Sequence, residues 1–95
     1  MTYQSSMELT QDPIFQGRVR ACCTEQATTT LADAPGAAGE LRDSILRGSG
    51  AEVLTFVAII AAFPGLSHPP PDEDILSQVQ ANWTLVADLY FGAAA

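Results

Sequence analysis

No lysine occurs anywhere in these 95 residues, and the only fixed cations are Arg18, Arg20, Arg42 and Arg47. Against them stand 11 carboxylates, for a net charge of −7. Sequence-independent binding to nucleic acid needs several phosphate contacts from cations, so four scattered arginines argue against direct contact with DNA or RNA. An acidic membrane surface would repel the chain for the same reason. Histidine is nearly absent too, with His68 alone in a proline-rich stretch. Cysteine is limited to the neighbours Cys22 and Cys23. Adjacent helical residues point about 100° apart, so a bond between these two would need a distorted backbone. They read as small, half-buried side chains in a reducing compartment. A long hydrophobic run is also missing. The longest, Val53 to Phe63, is interrupted by Thr55 and falls well short of the roughly 20 residues that span a membrane. The start, Met1 to Leu9, is polar and lacks the basic-then-apolar pattern of a secretory signal. Without secretion, the match of Asn82-Trp83-Thr84 to a glycosylation acceptor carries no weight.

These shortages leave little material for catalysis. Metal centres need several His, Cys or clustered carboxylate ligands, and the sequence offers no such set. Gly48-Ser49-Gly50 is too short for a phosphate loop, and no lysine follows it. Neither cysteine has an evident base nearby in the chain. Glu40 and Asp43, one helical turn apart, read as a solvated face, since acid–base work needs a pocket that separates their pKa values. Asp72-Glu73-Asp74 suits the positive pole of a helix start better than a cation site. The expectation is a non-enzyme with no cofactor and no metal.

What is present is material for one modest helical core. The apolar fraction is 47%, and charged residues make up only 16%, below the roughly 25% typical of soluble domains. A chain this short buries about 60–65% of its unfolded surface, and packing into an assembly adds stability that such a core lacks. Residues 1–95 read as a single domain, with a flexible arm at 1–6 and a loose tail at 92–95. Breakers divide it into four segments.

Ser5 and Glu8 are spaced as a capping box for a short turn. Asp12-Pro13 then reads as an N-cap with proline at the first helical position. This opens a helix over about 13–31 whose face carries Phe15, Val19, Cys22, Cys23, Gln26 and Ala27. Gly17 weakens it, and Thr28-Thr29-Thr30 frays its end. After the turn Asp33-Ala34-Pro35-Gly36, a second helix runs from about Ala37 to Arg47. Its stripe is Leu41, Ile45 and Leu46, and Gly48 ends it. The third segment opens with a capping box, Ser49 to Glu52, and is apolar nearly all round to Phe63, as suits a central buried helix. Its β-branched content leaves a strand open as the alternative. Pro64 to Pro71 is an extended connection. The last helix follows, with Leu76, Val79, Trp83, Val86 and Tyr90 in amphipathic register and Gly92 at its end. The expected fold is all-α, a compact bundle of about four helices with a proline-rich loop before the last one.

Candidate interface residues are Arg18, Arg20, Trp83, Tyr90 and Phe91. Tryptophan and tyrosine are favoured interface anchors, although a small core also needs its aromatics, so Trp83 fits either place. Tyr90 and Phe91 diverge around the helix, leaving one to face a partner. Arg18 and Arg20 do not share a helix face. One is expected to pair internally with Glu25 or Asp12, leaving the other for a bridge between subunits.

Two stretches, Asp12 to Gln26 and Asp74 to Trp83, resemble small helical proteins from the virion-structure gene clusters of tailed phages, especially phages of GC-rich actinobacteria. The likeness covers about a quarter of the chain, through one D-P-x-F-x-x-R-V run and one Q-x-Q-x-N-W run. The chain is shorter than such proteins in its middle and tail. The resemblance implies a virion component made in the bacterial cytoplasm, acting through contacts with portal or capsid proteins and with copies of itself. A head–tail connector adaptor is the leading expectation. The alternatives are a capsid-associated or decoration protein, or a small acidic regulator binding a host or phage protein.

Overall fold

Asp12 starts the first long helix as its sequence predicts. In the computed structural model, which describes residues 6–62 and 68–92, its carboxylate accepts the amide N–H of Ile14 at 2.9 Å, and Pro13 occupies the first turn. Among the described residues five α-helices follow one another: α1 (Ser6–Thr10), α2 (Pro13–Glu25), α3 (Gly36–Leu46), α4 (Ala51–Ala61) and α5 (Asp72–Ala87). Wider π-helical turns, Gln26–Thr30 and Asp88–Gly92, extend α2 and α5. The described residues contain no strand, so the all-α expectation holds and Val53–Ala61 is helix. Residues 1–5 of the arm expected at 1–6, residue 63 and the first part of the proline-rich connection to residue 67, and residues 93–95 of the tail expected at 92–95 lie outside the described residues, whereas Ser6 opens α1 and Gly92 ends the last π turn.

The threonine run widens its helix rather than fraying it. The hydroxyls of Thr28 and Thr29 donate to the carbonyls of Thr24 and Glu25, at 2.7 and 2.6 Å. Such back-bonding competes with the α-helical ladder. The backbone takes the longer step here, with the Leu31 amide reaching the Gln26 carbonyl at 3.0 Å. Gln26 itself is buried, and its side-chain oxygen has no hydrogen-bond partner among the described residues.

Arg42 organises the connection to α3. Its guanidinium donates to the carbonyls of Leu31, Ala32 and Ala34 at 3.1, 2.9 and 3.2 Å. Helix α3 closes with Gly48 at φ +88°. The Gly48 amide bonds to the Ile45 carbonyl and the Ser49 amide to that of Ser44, which is the paired ending that favours glycine.

Two sequence expectations change at α4. Ser49 is not its cap: the helix begins after Gly50, with no side-chain cap bond. Glu52 instead accepts hydroxyls from both Ser49 and, at 2.8 Å, Ser44, because the α3 ending brings that serine alongside. Nor is α4 buried all round. Val53, Phe56, Val57, Ile60 and Ala61 are buried, while Leu54 is 51% exposed.

The core lies between α2, α4 and α5, with α3 closing over the far end of α5. Phe15, Val19 and Cys23 from α2 meet Phe56 and Val57 from α4 and Ile75, Val79, Trp83 and Val86 from α5. Phe56 and Trp83 pack with ring centroids 5.6 Å apart, a pairing worth about 0.5–1.5 kcal/mol beyond the area it buries. Leu9 of the short α1 is also fully buried.

Candidate interaction surfaces

Arg18 is held within the chain. Its Nε lies 2.8 Å from an oxygen of Asp72, and its terminal nitrogen donates to the Pro70 carbonyl. The partner is therefore neither Glu25 nor Asp12. Folding brings the start of α5 to α2, a proximity that helical spacing cannot show. Arg20 is exposed, and its one hydrogen bond among the described residues is to the Ser49 carbonyl, at 3.4 Å.

Trp83 belongs to the core at 2% exposure, and its indole N–H donates to the Ala38 carbonyl at 3.2 Å. It is thus enclosed by the chain itself and leaves the set of docking candidates. The π turn then separates the remaining aromatics. Continued α-helical periodicity would bring Tyr90 inward beneath Trp83 and Val86. A wider turn inserts the equivalent of one residue, so Phe91 packs against the core instead, while Tyr90 is 43% exposed. The Tyr90 hydroxyl is tethered to that of Thr55 on α4 at 2.7 Å.

Around Tyr90 the last helix carries further apolar surface. Leu85 is 60% exposed and Leu89 65%. They are four positions apart and share a helical side. Leu46 and Leu54, at the α3–α4 corner, are also about half exposed.

A second surface lies on the outer side of α2, where Ile14 and Arg18 border two open hollows. One, of about 380 Å³, continues past Gly17, Ala21 and Cys22 to Glu25, Asp72 and Glu73. The other, of about 450 Å³, runs past Glu8, Asp12 and Phe15 to Pro69. Carboxylates that are dispersed in the sequence converge here.

The cysteines offer this surface no reactive thiolate. Burial, followed by the Cys22 thiol beside it, pushes the Cys23 thiol up to about 12. Burial and then the charge of Asp72 raise that of Cys22 as well, and the Cys22 thiol points to the Asp72 carbonyl at 3.7 Å. A thiol must ionise to act as a nucleophile, and both are held protonated at neutral pH. His68 is exposed and makes no hydrogen bond among the described residues. Also among these residues, no group of three or more His, Cys, Asp or Glu converges as metal ligands would, and no single helix is long and apolar enough to cross a membrane. Asp72, Glu73 and Asp74 are exposed on the first turn of α5. No family model, no curated protein and no solved structure matches this chain.

Proposed function

We propose that this chain is a structural subunit of a tailed-phage particle, a head–tail connector adaptor acting through protein–protein contacts rather than catalysis. The observation that carries the assembly part of this reading is the apolar surface of the last helix, where Leu85, Leu89 and Tyr90 stand in solvent. Large apolar side chains grouped in this way gain from being covered by a partner. The phage context rests on the resemblance in Asp12 to Gln26 and Asp74 to Trp83. These stretches form much of α2 and α5, which pack against one another. Copies of the chain and a portal or capsid protein are the proposed partners.

Quantitative mass spectrometry of purified particles from a phage that encodes the chain tests the proposal. About a dozen copies per particle, few enough to form one closed ring, is the result that would support the connector. Hundreds would replace the connector with a capsid-associated role. Absence from the particle would overturn the virion reading.

A further inference from the structure

Five carboxylates and a single guanidinium line the two hollows beside Ile14: Glu8, Asp12, Glu25, Asp72 and Glu73, with Arg18 between them. Arg18 is committed to Asp72 and to the Pro70 carbonyl, so Glu25 and Glu73 beside it make no ion pair among the described residues. At the centre of this surface Ile14 is 74% exposed, more than any other large apolar side chain among the described residues.

Gly17, one turn along α2, adds an independent observation. A Cβ at this position would meet nothing within 4 Å, and the residue does not adopt positive φ. The fold therefore has no need of glycine here, although glycine inside a helix costs about 0.5–1 kcal/mol relative to alanine. With Ala21 it makes a low stretch of helix beside the first hollow. Such a stretch admits the close approach of another backbone.

We propose that the outer side of α2, from Ile14 to Glu25, together with the start of α5, docks a basic amphipathic helix of another protein. Its apolar residues pack beside Ile14, its backbone passes over Gly17 and Ala21, and its arginines or lysines reach Glu25 and Glu73. Charge complementarity selects this occupant over a second copy of the chain. A copy carries a net charge of −7 and four arginines, of which Arg18 and Arg42 already have carboxylate partners. The surface is also separate from the apolar one. At about 1.5 Å of rise per residue, Asp72 and Leu89 lie about 25 Å apart along α5 and its extension. The proposal deepens the assembly reading and rests on it only in requiring a protein partner, since different residues carry it.

The test uses the full chain and a synthetic amphipathic helical peptide with leucines on one face flanked by arginines. A control peptide has each arginine replaced by glutamate. Binding is followed by calorimetry and by amide chemical-shift mapping. The basic peptide is expected to bind with shifts centred on Ile14, Gly17, Ala21, Glu25 and Glu73. Affinity should fall at least tenfold in Ile14→Arg and in Gly17→Leu, and stay unchanged in Leu89→Arg. Circular dichroism checks that each variant folds, and Glu73→Lys supplies a further variant at an exposed position. Absence of binding, equal binding of the acidic peptide, or undiminished binding by Ile14→Arg and Gly17→Leu would overturn the proposal. Loss of self-association in Ile14→Arg would also overturn it, by making a second copy the occupant. If the chain is present in particles and Leu89→Arg abolishes its self-association while the basic peptide fails to bind, this proposal falls and the assembly reading stands.

Discussion

Glu52 is a carboxylate kept ionised in a place that disfavours charge. Burial works to raise its pKa, but the hydroxyls of Ser49 and Ser44, its own backbone amide and the charge of Arg47 together outweigh that effect. The net result lies below the ordinary value of 4.5. A group whose pKa is depressed by folding contributes stability that is present above its unfolded pKa and lost as the pH falls through the folded one. The urea midpoint of the native chain should therefore exceed that of Glu52→Gln at pH 7, and the gap should shrink as the pH is lowered below 4.5. A constant gap across that range would show that the carboxylate's charge is not what matters. Arg42 has a different task, joining α2 to α3 through three backbone carbonyls. Hydrogen bonds to charged groups contribute about 1.5–3 kcal/mol, so Arg42→Ala should lose about that much stability in urea denaturation.

The helices owe their ends to local chemistry and their tolerance of change to their neighbours. Gly17 and Gly39 both lie inside helices, yet the same substitution should act on them in opposite directions. At Gly17 a methyl group meets nothing, and Gly17→Ala should raise stability by about 0.5–1 kcal/mol. At Gly39 it would run into the backbone carbonyl of Ala34. That carbonyl is fixed by Arg42, so Gly39→Ala should cost about 1–3 kcal/mol. Paired denaturant titrations decide both signs. Helix starts and stops such as Asp12-Pro13 and Gly48 were legible in the sequence, because caps act over a few residues. The π turn at Asp88–Gly92 was not. Hydrophobic periodicity assumes one constant turn, and the residue that this turn adds exchanges Tyr90 for Phe91 at the core.

Taken together, the helices form a body with a radius of gyration of 13.1 Å, about what a folded chain of this length should have. An apolar surface and an acidic one sit toward opposite ends of α5. Leu89 is 65% exposed, so Leu89→Arg should leave monomer stability within about 0.5 kcal/mol of the parent. It should at the same time lower the mass measured by light scattering if the apolar surface joins copies. Unchanged association would remove Leu89 from the contact. The acidic surface is carried by α2 and the start of α5, which are far apart in sequence and meet only on folding.

The amino-acid sequence alone determined the helical class, most helix boundaries and much of the buried set from Phe15 to Val86, since capping, breakers and apolar spacing are local. It placed Tyr90 in the apolar stripe of the last helix and left open which of Tyr90 and Phe91 faces outward. Only tertiary structure decided that Arg18 pairs with Asp72, that Trp83 is enclosed, that Leu54 faces out of an apolar helix, and that dispersed carboxylates gather around Ile14. Each of these depends on which elements become neighbours, and neighbours far apart in the chain leave no mark in the spacing of either one.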